Sequence, residues 1–483
     1  MEKLNYKCRF HMPVYYHGSP GITIANFFFG TFPYSCPDTA FFLLLFKEIM
    51  LTGKEIWFRG KYLLPGINFI FLLTNIFIWS IMPPMKGYKG NKKVGIVFSG
   101  GPAPAANAVI SSAALHFLDR KIPVYGFFHG FEFLEKYDRK QRFSLVEKVH
   151  YEILDSDIAG IRNERGVYLK TSRANPGKLI EGKDDLSDPV KNEKLRNILD
   201  GLDSLGVGFL ITIGGDDTLK TANYLGMMGM KVIHIPKTID NDYFGIAWTF
   251  GYWSAVQAAK EALLNLKADS ESTNTYFFVE LMGRKAGWIT YAAGIAGEAV
   301  MMISNEDVEG PEVDIDAMAD SIVDTIIHRE KRDKYYGIIT IAEGLADKLP
   351  KKLRPTETDK HGNVIMGTAE VGGILRNATM KRYKERTGRY KKIVYKQVGY
   401  ETRNNPPISF DVVLGSMLGF GAFKLYNQGK FKCMVSVSDN FQIVGKPFEK
   451  LIDPKTLLTR LRDVPRGSDF YELKAALSFK EME

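Results

Sequence analysis

The chain has 483 residues, of which 45% are hydrophobic, 25% charged and 12% aromatic. That mixture excludes a disordered, collagen-like or disulfide-stapled protein, and at ~100–200 residues per domain the length suggests two or three domains. The formal charge of +9, from 64 Lys+Arg against 55 Asp+Glu, is modest and spread along the chain. It gives no call for nucleic acid and suits a site for anionic small molecules. The three cysteines, Cys8, Cys36 and Cys433, form no CxxC or Cys/His cluster. Neither a zinc site nor a disulfide framework is encoded, and a reducing, cytoplasmic setting is expected.

Residues 1–85 differ from the rest. They hold 12 of the 32 phenylalanines, with seven basic and four acidic residues. Apolar runs fall at 41–46 and 66–82. The second is 17 residues long, the short edge of the ~17–25 a membrane-crossing helix needs, and it contains Asn68, Thr74 and Asn75. Three readings stand side by side: a translated stretch upstream of a start at Met82 or Met85, a membrane anchor, or an extra packed subdomain. Membrane contact is expected only under the second. A secretory signal does not fit, because the apolar run lies too far from the N-terminus.

From residue 92 strands and helices alternate. Residues 93–98 (KVGIVF) form a β-branched run ending in a Ser-Gly-Gly turn, and the alanine-rich stretch 103–118 predicts a helix. Strands are predicted at 124–128, within 202–213, and at 231–235, 276–281 and 336–341. Helices are predicted at 220–228 and 250–266. The alternation argues for doubly wound, largely parallel sheets. In such sheets ligands bind beyond the C-terminal strand ends, so the loops there should carry the chemistry.

The first such loop is Ser99-Gly100-Gly101-Pro102-Ala103-Pro104, whose paired glycines let backbone N–H groups approach an anion. Its plainer reading is a tight strand-to-helix turn. The second is Gly214-Gly215-Asp216-Asp217-Thr218. Two acids beside a phosphate-binding loop repel phosphate unless a cation such as Mg²⁺ lies between. An acidic helix N-terminus is the alternative. The third is Pro236-Lys237-Thr238-Ile239-Asp240-Asn241-Asp242. Lys237 offers a point charge for phosphate. Asp240 and Asp242 lie two apart and share a face in extended chain. One could take a hydroxyl proton while the other holds metal or water; an Asx-turn is the plainer reading. Together the loops suit phosphoryl transfer.

GGPAPAAN, GGDDT, PKTIDND and Met282-Gly283-Arg284, in that order, resemble the phosphofructokinase family. Ile341-Ala342-Glu343-Gly344-Leu345 and Gly399-Tyr400-Glu401-Thr402-Arg403 extend the likeness over roughly residues 92–445. The resemblance implies two α/β domains with the active site in the cleft between them. It implies a donor and Mg²⁺ domain at 86–245, a fructose 6-phosphate domain at 246–420, and a segment 421–483 returning to the first, after the atypical residues 1–85. It further implies that Gly101 and Arg173 meet the phosphoryl donor and Asp216 holds Mg²⁺. Thr238 contacts the sugar phosphate, and Asp240 deprotonates the 1-hydroxyl of fructose 6-phosphate. Met282, Gly283 and Arg284 close over sugar and phosphoryl group, and Glu343, Tyr400 and Arg403 bind the sugar and its 6-phosphate. Asp242 belongs with the same substrate loop.

The donor is the sharper expectation. ATP users in this family carry glycine where Asp217 stands, and often glycine at Lys237. Glycine leaves room for the α-phosphate of a nucleotide. Asp217 fills that room and adds negative charge, while Lys237 supplies positive charge for a short pyrophosphate. The pair resembles pyrophosphate-dependent members, with ATP-dependent 6-phosphofructokinase as the alternative. A membrane-tethered, non-catalytic sugar-phosphate sensor is the rival from another class. A homodimer or homotetramer is implied. Relatives that share the sugar site across subunits place an arginine nine residues before Arg284, where this chain has Thr275. Val394 stands about where another arginine would come, with Lys392 and Lys396 nearby. The basic run 381–392 is expected to be a solvated helix and loop face.

Overall fold

The computed structural model describes residues 93–140, 142–358 and 366–478, and two short strands, β1 (Pro13–Tyr16) and β2 (Thr23–Asn26), paired antiparallel. The apolar run at 66–82 and the cysteines at 8 and 36 lie outside the described residues. Among the described residues no helix is long and apolar enough to cross a membrane.

Residues 93–478 belong to one compact unit. Its strands are β3 (Lys93–Phe98), β4 (Val124–Phe127), β5 (Tyr151–Leu154), β6 (Val207–Gly214), β7 (Val232–Pro236), β8 (Tyr276–Leu281), β9 (Met301–Ile303), β10 (Gly337–Ala342), β11 (Ile393–Val398), β12 (Cys433–Val437) and β13 (Ile443–Pro447). Its helices are α1 (Ala106–Leu118), α2 (Glu193–Ser204), α3 (Asp216–Met227), α4 (Tyr252–Thr273), α5 (Trp288–Ala296), α6 (Ile315–Glu330), α7 (Val371–Thr387), α8 (Ser409–Asn427), α9 (Phe448–Leu451) and α10 (Asp469–Leu477). One sheet has seven strands in the order β13-β12-β7-β6-β3-β4-β5, parallel except for the antiparallel edge strands β13 and β5. The other has four parallel strands, β11-β8-β10-β9. The expected α/β architecture with largely parallel sheets is what is found.

The strands are continuous apolar runs because helices cover both faces of a parallel sheet. Ile96, Ile211 and Ile233, neighbours across three strands, are fully buried. From β3 the chain steps one way to β4, and from β6 the other way to β7. Right-handed crossovers therefore send α1 and α3 to opposite faces. The direction reverses between β3 and β6, and at such a switch point the loops leaving the strands are where a sheet of this kind takes its ligand. On one face α8 crosses the alanine-rich α1 closely. A Cβ on Gly419 would lie 2.5 Å from the carbonyl oxygen of Val109, so only glycine fits that crossing.

Three predicted bounds move. Helix α1 starts at Ala106 rather than 103, because Pro102 and Pro104 precede it and Ala105 is left-handed (φ 64°). Helix α3 starts at Asp216, four residues earlier than expected, so both acids lie in its first turn and Gly215 occupies the cap position. Helix α4 runs on to Thr273, closed by left-handed Asn274. Its polar tail had hidden the continuation. The aromatic stretch 276–278 is core strand, as expected. The basic stretch 381–392 is mostly exposed, as expected, with Tyr383 and Lys391 buried. Arg382 reaches Asp320 at 2.5 Å, and Arg389 and Lys391 reach Glu330 at 2.8 and 2.9 Å, so it ties α7 and the start of β11 to α6.

Candidate active site

Three strand ends of the larger sheet are laced together. Ser99 N–H donates to the Ile213 carbonyl and Lys237 N–H to the Gly214 carbonyl, both at 2.9 Å. The loop carrying Arg173 joins them, since Gly100 N–H donates to Ser172 O (2.8 Å) and Thr171 Oγ1 to Gly100 O (2.6 Å). Gly100 is left-handed (φ +88°), and a Cβ there would lie 3.0 Å from Lys237 Nζ. Its glycine thus makes room for the buried ammonium. A Cβ on Gly101 would lie 3.3 Å from Nη1 of Arg403. The arginine expected at the sugar 6-phosphate therefore reaches across to the donor loop.

Burial pushes the Lys237 amine down to about 7. Arg403 and Arg173 push the same way, and Asp240 and Asp216 oppose them. Burial raises the Asp216 carboxyl above its ordinary value, and Asp217 and Asp240 add to the rise. These residues crowd like charges together in a way that a polyanion with a cation relieves. Asp217 points outward, with its side chain 53% exposed, and pairs with Lys220 at 2.8 Å. Lys220, one helical turn on, was not singled out in the sequence, where only an i,i+3 spacing hints at it.

The Asp240 loop departs from the expected extended chain. Asn241 is left-handed (φ 55°), which sends its two neighbours to different places. Asp242 is 5% exposed. Burial raises its carboxyl well above the ordinary range, with Asp240 and Asp216 adding to the rise and a Thr238 hydrogen bond opposing it. Asp240 remains half-buried and accepts from Arg284 N–H at 3.4 Å, while its own N–H donates to Thr238 Oγ1 at 3.0 Å. The two carboxylates therefore do not share a face. Asp240 is the more accessible of the two, while Asp242 stays within the same charge cluster through Asp240 and Asp216.

The smaller sheet brings its strand ends to the same place. After β8, Met282 is buried, Gly283 accepts from Gly344 N–H at 3.2 Å, and Arg284 is exposed. After β10, burial raises Glu343 to about 7, with Asp240 adding to the rise and Arg403 opposing it. After β11, Thr402 Oγ1 donates to Met282 Sδ at 3.9 Å, and Arg403 lies 5.7 Å from the ring centre of Tyr400, itself 69% exposed. Asp216, Lys237, Asp240, Glu343, Arg173 and Arg403 thus sense one another's charge. Asp217 and Tyr400 lie at the surface, and Asp242 in the interior. Thr275 is buried in its own turn, Val394 packs on the core, and Lys396 is exposed.

Among the described residues no group of three or more His, Cys, Asp or Glu could hold a metal ion. Mg²⁺ needs no such cage, because it is usually held by one or two carboxylates together with waters and substrate phosphates. The desolvated Asp216 carboxyl beside Asp217 fits that mode.

A family model described as Phosphofructokinase matches residues 93–426. The chain is 34% identical over 398 residues to a pyrophosphate–fructose 6-phosphate 1-phosphotransferase of Thermotoga maritima, covering 79% of this chain and 89% of the relative. It is 30% identical over 376 residues to an ATP-dependent 6-phosphofructokinase of Spirochaeta thermophila, covering 77% and 92%. A crystal structure of a pyrophosphate-dependent phosphofructokinase from Marinobacter aquaeolei superposes with a TM-score of 0.57 at 17% identity, covering 81% of this chain and 92% of that one, which is a likeness of fold.

Proposed function

This chain belongs to the phosphofructokinase family, and we propose that its donor is pyrophosphate: it transfers the terminal phosphoryl group to the 1-hydroxyl of fructose 6-phosphate, giving fructose 1,6-bisphosphate and phosphate. The single observation that carries this reading is the buried Lys237 ammonium against Gly100, beside a loop whose second acid is Asp217 rather than glycine. A desolvated ammonium is a compact anchor for a diphosphate. The T. maritima relative supports the same donor.

Asp240 takes the hydroxyl proton as the oxygen attacks the terminal phosphorus, and phosphate leaves. Lys237, Arg284, Arg403 and the backbone N–H groups near Gly101 offset the charge on the transferring group. Asp216 would hold Mg²⁺, which when bound supplies positive charge to the donor oxygens. Glu343, Thr238, Met282, Gly283 and Tyr400 orient the sugar phosphate. Arg173 stands on the donor side. The bond broken and the ester formed are close in free energy, so the reaction runs in both directions, in glycolysis or gluconeogenesis. The two sheets are read as the donor and sugar domains, with residues 421–483 returning to the first. A homodimer or homotetramer in the cytoplasm belongs to the same reading. The acids and arginine at 216, 240 and 284, gathered at these strand ends, favour catalysis over a sugar-phosphate sensor. ATP as donor is the second reading, and the outward turn of Asp217 toward Lys220 is what favours it.

Purified protein supplied with fructose 6-phosphate, Mg²⁺ and either donor tests the proposal. Fructose 1,6-bisphosphate formed with pyrophosphate supports it, and formation with ATP alone refutes it.

A pH effect follows from Lys237. Its free amine titrates at about 7, and a bound polyanion favours the protonated form. Above pH 7, donor binding therefore takes up a proton and weakens as pH rises; below it the amine is already charged. Calorimetry at pH 8 with methylenediphosphonate, in two buffers of different ionisation enthalpy, should show a proton uptake that Lys237→Met loses. Equal uptake in parent and variant would assign the titration elsewhere.

A further inference from the structure

Residues 459–464 cross from α9 toward α10 as an extended strap, beyond the stretch matched by the family model. The strap lies on the Asp240 loop. Leu461 forms an antiparallel bridge with Tyr243, and Arg462 N–H donates to the Asp242 carbonyl at 2.8 Å. The Arg462 guanidinium then makes four more hydrogen bonds to the same loop. Nε and Nη2 donate to the Asn241 carbonyl (3.2 and 3.0 Å), and Nη1 donates to those of Ile246 (3.0 Å) and Ala247 (2.8 Å).

The other side of the strap holds the turn after Arg284. The Trp288 ring lies 4.5 Å from the guanidinium carbon, and its Nε1–H donates to the Arg462 carbonyl at 3.0 Å. Val464 N–H donates to Glu306 Oε1 at 3.1 Å, and the same carboxylate accepts from Gly287 N–H at 2.9 Å. One short segment therefore ties the two loops that face each other across Asp240 and the Arg284 N–H.

The residue gripped hardest is Asn241, whose left-handed backbone sets where Asp240 and Asp242 point. Its side-chain oxygen is held by Thr249 N–H at 3.0 Å, and its carbonyl by the arginine fork. A planar fork spreads its donors over three nitrogens in a fixed geometry and so reaches three carbonyls from set directions, whereas the three donors of an ammonium radiate from one freely rotating atom.

We propose that Arg462 is a positioning residue: by holding the carbonyls of Asn241, Ile246 and Ala247 it orients the Asp240 carboxylate against the Arg284 loop, and so sets the rate of phosphoryl transfer without touching substrate. This rests on the reading of Asp240 as the base. Misplacing a reacting group by about 1 Å can cost ~10²-fold in rate.

The test compares Arg462→Ala, Arg462→Lys, Asp240→Asn and the double variant Arg462→Ala/Asp240→Asn in the full chain, with whichever donor the parent uses. Both Arg462 variants should lose roughly 10²-fold in kcat, with each KM within about threefold and melting temperatures near the parent's. Millimolar ethylguanidine should restore part of the kcat of Arg462→Ala. In the Asp240→Asn background Arg462→Ala should add little further loss, because both act through one carboxylate. Hydrogen exchange should rise in residues 240–247 of Arg462→Ala while the sheets stay protected. Parent-like kcat in Arg462→Ala beside an impaired Asp240→Asn overturns the proposal, as does an additive loss in the double variant. A loss of kcat that follows only a collapse of the melting temperature also overturns it, making the residue a plain anchor; if Arg462→Ala does not fold, Arg462→Lys decides by the same criteria. An unimpaired Asp240→Asn is a different result and removes the base assignment itself.

Discussion

Asp240→Asn is expected to lower kcat by ~10²–10⁴-fold, the usual contribution of a positioned base, with each KM within about threefold of the parent. The asparagine keeps the shape of the side chain and an oxygen for Arg284 N–H, now at 3.4 Å. The backbone bond from residue 240 to Thr238 Oγ1 is untouched. What is lost is the proton acceptor, so the damage falls on the transition state rather than on binding. Removing the charge also relieves Asp242 and Glu343, both of whose carboxyls Asp240 helps to raise, so no loss of stability is expected. Asp242→Asn should be milder. Burial already favours the protonated form of that carboxyl, and it is less accessible than Asp240. Single-turnover and steady-state rates on both variants check this. A larger loss in Asp242→Asn than in Asp240→Asn would reverse the assignment.

The second large effect concerns the donor. Asp217→Gly is expected to lower kcat/KM with pyrophosphate by about tenfold or more, and to admit turnover with ATP where the parent shows little. The geometry changes the weight of the two causes. Asp217 is half-exposed and paired with Lys220, and an exposed ion pair of that kind is worth ~0–1 kcal/mol. Its negative charge is thus partly answered before any donor arrives. If pyrophosphate is the donor, exclusion of a nucleotide would then rest more on the space the side chain takes at the start of α3 than on repulsion. Glycine removes both, and it also frees Lys220 to meet a donor phosphate. Steady-state kinetics with each donor checks this. Unchanged selectivity in Asp217→Gly would mean that residue 217 does not choose the donor.

The loops were legible because their chemistry is local. Gly100, Gly214-Gly215, Asp216 and Lys237 each sit at the end of an apolar β-branched run, where a parallel sheet places its ligands. The same locality hid other features. Two residues of spacing suggested a shared face for Asp240 and Asp242, but a single left-handed residue between them undid it. The start of α1 was blurred by alanines that suit a helix as well as a proline-bounded loop. The basic run at 381–392 gave no sign of the acids it meets, because Asp320 and Glu330 lie on a helix some sixty residues earlier. Arg462 had no signal at all. Its partners at 241–247 are more than two hundred residues away, and one arginine in a polar stretch looks like surface until the chain has folded back.

The most direct measurement is the ratio of kcat/KM with pyrophosphate to that with ATP, taken on matched preparations of the parent and Asp217→Gly at saturating fructose 6-phosphate and Mg²⁺. A ratio far above one in the parent that falls by about tenfold or more in the variant is the expected result. A parent that turns over ATP efficiently and leaves pyrophosphate untouched would contradict it.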